Sequence, residues 1–337
     1  MATIKDVAAL AKVSISTVSY AINGTRPISV EKKASIQAAM EKLNFRPHAI
    51  ARSLASKRTR IIAVLFPVLE HGIGLSDLSL IMEAAKNTVK QGYHLVIWTL
   101  QDNTENELEQ LIHQELVDGI ILMEVHKMDV RIPVLKKAGI PFILVGQDET
   151  VADESYVDVD FLNTMTRCFT YLKDLGHRNF IFINQSRESY RTGYGPVCRT
   201  HAVFHSLCRN YEITGKEYFC KSNPSTAYTL VEKILKEQPD VTAFIVMNDR
   251  TIPGIIRGVE KKNFFIPRDI SIVSIVSSGS AANLFLPSIT AFEMDTKTIM
   301  EQVTSRLIAK LEGCYADSPP PLVPCVLRER ESSGKRR

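Results

Sequence analysis

Ile15, Ser16, Thr17, Ser19 and Tyr20 share the exposed face of a short helical repeat whose other face carries Val18, Ala21 and Ile22. Short hydroxyls and small apolar groups at the start of such a helix suit base edges and thymine methyls in a major groove. Around them, Thr3, Ser14, Thr17, Asn23 and Thr25 offer hydroxyl and amide groups suited to phosphate oxygens, which fix register without carrying sequence information. A small helical bundle with ordinary surface hydroxyls has the same pattern, so the surrounding charge and the next segment decide between them.

Residues 1–60 hold eleven Lys or Arg against three acids, a balance of +8, while the whole 337-residue chain sums to only +4. A basic module on a mildly acidic body points to a polyanionic partner for that module. Residues 44–58, NFRPHAIARSLASKR, sharpen this. Pro47 stops the preceding helix. Residues 49–55 are good helix formers only about two turns long, too short to hold alone in water. Flanked by Arg46, Arg52, Lys57 and Arg58, this segment reads as a linker that orders beside DNA, with Leu54 as an apolar wedge for a minor-groove step. A basic interdomain linker with a chance leucine is the alternative.

The elements that must position these groups are three helices on one small core. Thr3 caps Ile4, Val7, Ala8 and Ala11; residues 12–14 form a turn; residues 16–23 make the second helix, with Ala8 and Ala9 at the crossing. Ser29 caps a third stripe of Ile36, Ala39, Met40 and Leu43.

The runs TIKDVAALAKVSISTVSYAINGTRPIS (3–29) and AAMEKLNFRPHAIARSLASKRT (38–59) resemble the lactose/galactose repressor family, with a purine-repressor-like headpiece and hinge. That resemblance implies Ile15, Ser16 and Tyr20 as base readers and Arg26 near the operator centre. It also makes Leu54 an intercalating wedge paired with that of a second chain, with Ala51 and Ala55 beside it on the hinge. Lys12 departs from the glycine common in the family's turn, and Tyr20 from its frequent Arg or His.

Beyond Arg60, apolar runs at 61–66, 94–99, 119–123, 142–145, 179–183, 243–247 and 270–275 alternate with amphipathic stretches at 76–91, 104–115, 129–138, 200–210, 224–236 and 251–262. Strand-helix alternation predicts a doubly wound parallel α/β body. Ligands of such sheets sit at the strands' carboxyl ends. The loops there supply His71 and Asp77, Trp98, Glu124 with His126, and Gln147 with Asp148, and a lone indole beside hydroxyl-binding groups suits a sugar face. The resemblance extends over this body as a two-lobed periplasmic-binding-protein-like effector domain and adds Asp160, Arg199 and Asp249 as effector contacts. The family's Gly-aromatic-Asp-Asp motif is missing, Ser274-Ile275-Val276-Ser277 standing in its place, so the effector's identity stays open.

The expected organisation is a helix-turn-helix headpiece at 1–46, a hinge helix and linker at 47–60, an effector and dimerisation domain at 61–330, and a basic tail at 331–337. Lobe 1 is expected at about 61–160 plus 290–320, lobe 2 at about 161–289 plus 321–330. Six scattered cysteines without a CxxC pair or a Cys/His cluster at zinc spacing suit reduced thiols, and the chain has no secretory or membrane-spanning pattern, so a cytoplasmic protein is expected. Gly72-Ile73-Gly74 lacks the third glycine of a dinucleotide loop, Asp77 occupying that place, and no nucleophile elbow, P-loop or metalloprotease motif occurs. No catalytic group, cofactor or metal is expected. The expected partners are a pseudo-palindromic duplex operator, a sugar or sugar-derived effector, and a second copy of the chain, the tail lacking a leucine-rich tetramer segment. A periplasmic-type ligand carrier and a sugar-modifying enzyme on the same α/β body are the competing readings.

Overall fold

A computed structural model describes residues 2–23, 26–45, 58–67, 73–100, 105–151, 155–211, 213–314 and 322–336. The chain divides into two compact units, Met1–Ile61 with Glu115–Asp118, and Ile62–Gln114 with Gly119–Arg337. The hinge contacts Ala51, Leu54 and Ala55, and His71 of the body, lie outside the described residues.

In the first unit, α1 (Ile4–Leu10), α2 (Ile15–Asn23) and α3 (Val30–Lys42) close on a core of Val7, Ala8, Ala11, Val18, Ile36 and Ala39. Small Ala8 and Ala11 let the first two helices approach closely. Thr3 and Asp6 join through the Asp6 carboxylate, which accepts from the Thr3 N–H and hydroxyl, both at 2.8 Å. Ser29 Oγ accepts from the Lys32 N–H and starts α3. The turn between α1 and α2 passes through Lys12 at φ 54°, the left-handed conformation that explains a glycine preference there. Before the body begins, the Asp118 carboxylate accepts from the N–H groups of Thr59 and Arg60 and the Thr59 hydroxyl at 2.7–2.9 Å.

The second unit holds two six-stranded sheets. The first contains β1 (Ile61–Pro67), β2 (His94–Leu100), β3 (Gly119–Leu122), β4 (Phe142–Val145), β5 (Tyr156–Val159) and β11 (Leu322–Val323), in the order β11-β5-β4-β3-β1-β2. The second contains β6 (Asn179–Asn184), β7 (Thr214–Phe219), β8 (Ala243–Val246), β9 (Ser271–Ser277), β10 (Thr290–Glu293) and β12 (Val326–Arg328), in the order β12-β10-β9-β8-β6-β7. Their pairings are parallel except β10 with β12. The central strands are near-continuous Val, Ile, Leu and Phe because helices cover both faces.

Around the first sheet lie α4 (Leu75–Lys90), α5 (Glu105–His113) and α6 (Arg131–Ala138), joined by α13 (Thr296–Glu312), which packs on α4. The second sheet carries α7 (Phe161–Asp174), α8 (Arg187–Arg191), α9 (Gly195–Asn210), α10 (Pro224–Glu237), α11 (Ile252–Lys261) and α12 (Gly279–Ala282). At the α10–α11 crossing a Cβ on Gly254 would stand 1.9 Å from the Pro224 carbonyl oxygen, so the approach requires glycine.

The lobe boundaries differ from the sequence expectation. β10 (Thr290–Glu293) belongs to the second sheet, so the chain returns to the first only with α13, and β11 at 322–323 is in the first sheet before β12 crosses back. These strands are too short for a hydrophobic period to place. The basic tail is also not loose. Ser332 is fully buried, its Oγ donating to the Ile272 carbonyl at 2.6 Å and accepting from Thr290 N–H at 2.8 Å, and Arg336 N–H donates to the Leu175 carbonyl.

Candidate functional site

On the first unit, α2 buries Val18 and turns Ile15 and Ser16 to solvent, with Thr17 and Tyr20 half-buried. Ser14 Oγ accepts from the Thr17 N–H at 3.1 Å, capping the helix, and the two hydroxyls pair at 2.8 Å. The cap holds the helix start, where the expected base readers stand, in a fixed rotation. Exposed Arg26 lies over the Tyr20 ring at 5.1 Å, bringing together two residues placed apart in sequence. The Thr3 hydroxyl is engaged with Asp6 and Asn23 ends α2.

On the second unit, the ends of both sheets face a cavity of about 350 Å³, within the range of small-molecule sites. Asp77, Glu124 and Asp249 line it, as do Asp158, Gln185, Asn248 and Arg250. Phe161, Tyr194, Phe285 and Val276 give its apolar wall. Asp77 sits in the first turn of α4, its Oδ2 accepting from Gly74 N–H at 2.9 Å.

Glu124 follows β3 in a loop tied down by a buried ion pair. Arg131, 2% exposed, donates from Nε and Nη2 to Asp129 at 2.8 and 2.6 Å and from Nη2 to the carbonyls of Met123 and Glu124. Asp148, read from sequence as a cleft group, instead accepts from Asp129 N–H and Thr150 N–H and supports this loop. Burial, helped by the nearby Asp77 charge, pushes the Glu124 carboxyl up to about 8, while the Tyr194 hydroxyl donates to it at 3.0 Å. Glu124 is therefore largely protonated at neutral pH.

Two contacts link the sheets across the cavity. An isolated antiparallel bridge joins His126 to Tyr194, with Lys127 N–H donating to Gly193 O and Gly195 N–H to Val125 O. Deeper, Arg199 Nη2 of α9 stands 2.8 Å from Asp158 Oδ2 of β5. The pair is close but not aligned for a hydrogen bond, leaving Asp158 Oδ2 and Arg199 Nε and Nη2 without a hydrogen-bond partner among the described residues. Burial pushes Asp158 up to about 6 against the pull of Arg199, whose guanidinium also covers the Phe161 ring at 5.0 Å.

Ser274 and Ser277, standing where the family motif is lost, donate their hydroxyls to Asp249 Oδ1 and Oδ2, each at 2.8 Å. Burial raises the Asp249 carboxyl, and these two bonds oppose that shift. Between them Val276 has φ 58°, a strained value for a β-branched residue, at a register shift between β9 and β10. Glu124 shares that left-handed backbone at φ 54°. Non-glycine strain at two wall residues is the pattern expected of ligand sites.

Trp98, Gln147, Asp160 and Arg199 do not line the cavity, Arg199 standing behind it against the lining Asp158. Trp98 is half-buried on β2, the outermost strand of its sheet. Gln147 Nε2 donates to the Tyr156 hydroxyl at 2.5 Å. Asp160 Oδ1 caps α7 by accepting from Asn163 N–H at 2.8 Å, and the acid at the wall is Asp158, two residues earlier. Asp158 was hidden in a strand of apolar neighbours and Tyr194 in a Gly-Tyr-Gly-Pro turn. The apolar residues on both sides of Asp158 are the signal by which a buried acid there could have been found.

Comparison with known proteins places these two halves. A model of bacterial regulatory proteins of the lacI family matches residues 3–48, and one of periplasmic binding protein-like domains matches residues 169–333. The chain is 28% identical over 344 residues to the HTH-type transcriptional regulator MalR of Staphylococcus xylosus, covering 99% of this chain and 98% of that one. A lac repressor dimer bound to operator and the anti-inducer ONPF superposes with a TM-score of 0.82 at 20% identity, covering 99% of each chain. A complex of the transcriptional regulator CelR with cellobiose superposes with a TM-score of 0.72 at 20% identity, over 98% of this chain and all of that one. A capped helix on a three-helix core, followed by a two-sheet body with its cavity, is thus the architecture of a DNA-binding transcription regulator, with a headpiece of the lacI family and a body like the periplasmic binding proteins.

Proposed function

We propose that the chain is a cytoplasmic, homodimeric repressor of carbohydrate-metabolism genes, released from or locked on its operator by a neutral, hydroxyl-rich sugar held between the two sheets. The carrying observation is the lining of the cavity. Asp77, Asp158 and Asp249 supply acceptors for hydroxyl groups, Glu124 supplies a carboxyl that also donates, Arg199 stands behind the lining beside Asp158, and Phe161 and Tyr194 offer ring faces. With Glu124 protonated, the remaining carboxylates at this wall still disfavour a phosphate or other anion. They suit sugar hydroxyls, and the cellobiose complex of a structural neighbour supports that class.

Ile15, Ser16 and Tyr20 read bases in the major groove, Arg26 assists from its place over Tyr20, and Thr3, Ser14, Thr17 and Asn23 meet phosphates. Two headpieces occupy a pseudo-palindromic operator, with Leu54 of each hinge entering the central minor groove beside Ala51 and Ala55. The dimer is supported by exposed Leu78, Met82 and Val89 on α4 and Ile97 on the neighbouring edge strand β2, an apolar face on the first lobe. Among the described residues no helix is long and apolar enough to cross a membrane.

An effector acts only through unequal affinity for two arrangements of the lobes. The bridge at His126–Tyr194 and the Arg199–Asp158 pair are the contacts that such a rotation remakes. Selection of bound duplexes from a random pool tests DNA reading, and a palindromic motif is expected. Tyr20→Ala and Leu54→Ala are expected to abolish the sequence-specific gel shift; unchanged shifts would overturn the assignment. A thermal-shift screen of sugars and oligosaccharides tests the cleft, since a ligand of the native state raises apparent stability by mass action.

A further inference from the structure

Away from the cleft, His201 and His205 project one turn apart from α9 toward Glu217 on the edge strand β7. His201 Nδ1 lies 2.5 Å and His205 Nε2 3.0 Å from the same oxygen, Glu217 Oε2. The donor atoms of all three lie within 4.8 Å of one another. We propose that this cluster is a binding site for a divalent transition metal of zinc-like softness, separate from the effector cavity.

Three features favour a cation over an ordinary ion pair. Two imidazoles at i and i+4 on one helix face are a bidentate pair by geometry, and a carboxylate completes a set of three ligands suited to zinc, cobalt or nickel. Glu217 is nearly buried, its side chain 3% exposed, yet its Oε2 meets two histidines where a buried acid would ordinarily meet an Arg or Lys. Finally, its orientation is fixed from behind: Asn184 Nδ2 donates to Oε1 at 2.8 Å, leaving Oε2 for the metal. The histidines are 30% and 41% exposed, giving solvent access to the remaining coordination position. Metal bonds of about 2.0–2.1 Å need the two histidine–Glu217 contacts to lengthen by less than about 1 Å, a movement open to partly exposed imidazoles. The same Asn184 accepts from the Gln185 N–H at 2.8 Å, and Gln185 lines the cavity, so the site stands one hydrogen-bonded residue behind the effector wall. Sequence reading misses it because the third ligand comes from a strand twelve residues beyond His205.

Cobalt(II) titrated into the reduced full-length protein tests this by its visible absorption spectrum. One cobalt per chain is expected, with nitrogen and oxygen ligand-field bands, no thiolate charge-transfer band, and displacement by zinc. His205→Gln and Glu217→Gln are each expected to weaken binding by more than about 100-fold. Both should leave the circular dichroism spectrum and operator binding as in the parent, which separates loss of a ligand from loss of fold. A thiolate band would place the metal on the free cysteines and overturn the proposal. Cobalt affinity unchanged in both folded variants would overturn it equally, as would the absence of stoichiometric binding to the parent.

Discussion

Arg199 Nη2 and Asp158 Oδ2 meet at 2.8 Å, one from each lobe, behind the cavity wall that Asp158 helps to form. The pair holds opposite charges in a place where neither is aligned for a full hydrogen bond. It is therefore a latch of modest strength, open to competition from a ligand that offers both an acceptor and a donor. Removing Arg199 alone leaves a buried carboxyl without its counter-charge.

Arg199→Ala is expected to cost about 3 kcal/mol of body stability, the low end for breaking a buried pair because Arg199 is one-quarter exposed. The double variant Arg199→Ala/Asp158→Asn should cost less than the sum of the singles. Urea unfolding of the four proteins measures both. Additive losses would show that the two groups do not interact.

Acid strength at Glu124 gives a pH signature. Its folded value is raised from 4.5 to about 8 by burial and then by Asp77. The native state thus holds a proton that the unfolded chain has lost. Stability from this group is fully present below about 4.5 and falls as pH rises through about 8. Asp158, raised from 3.8 to about 6, adds the same trend over a lower window. Thermal melts between pH 5 and 9 should show a decline that Glu124→Gln flattens in its upper part. A parallel decline in the variant would refute the assignment.

The buried Asp129–Arg131 pair is structural, and its loss should be severe. Asp129→Ala is expected to destabilise the body by about 3–5 kcal/mol, since it strands an Arg that is 2% exposed. A lowered urea midpoint at unchanged m-value is the readout. Asp129 is held below the usual carboxylate range: burial raises it, but hydrogen bonding and charge from Arg131 outweigh that. Its stabilising share is present at neutral pH and is lost as acid protonates it.

Lys12 at φ 54° occupies a conformation that costs an L-residue about 1–2 kcal/mol. Lys12→Gly removes that strain and adds chain entropy to the unfolded state, for a net gain of about 0.5–1 kcal/mol. Slower amide hydrogen exchange in α1 and α2 of the full-length variant is the expected result; faster exchange would contradict it.

Much of this architecture was legible where one side-chain period dominated. Ser29 announced α3, and the Val, Ile and Leu runs of β1, β3 and β8 announced a buried parallel sheet. β7, reading Thr-Gly-Lys-Glu-Tyr-Phe, was not legible because an edge strand exposes one side and mixes polar with apolar residues. β10, β11 and β12 are two to four residues long and gain their place from long-range pairing. At the cavity wall, Asp77, Glu124 and Asp249 followed from strand ends or resemblance, while Arg199 stands behind it. The part played by Ser274 and Ser277 did not: sequence shows a lost acid, and only the fold brings both hydroxyls onto Asp249. Sequence reading named Asp160 and passed over Asp158; the end of β5 and the start of α7 give Asp160 to a helix cap and Asp158 to the cavity.

The order in which residues leave the ribosome gives the buried Ser332 a further meaning. The core of the three helices lies within the first sixty residues and is built from local contacts, which form quickly. The second sheet waits for β12 and for Ser332 to bond Ile272 and Thr290, groups synthesised about forty to sixty residues earlier. During each round of synthesis there is an interval in which a DNA reader exists and its governor does not. A chain broken off before residue 326 would extend that interval indefinitely, leaving folded reading helices on a body with an open β10 edge, prone to pair with other chains. Because the stitch that closes the second sheet follows every other strand of the body, control is acquired after reading.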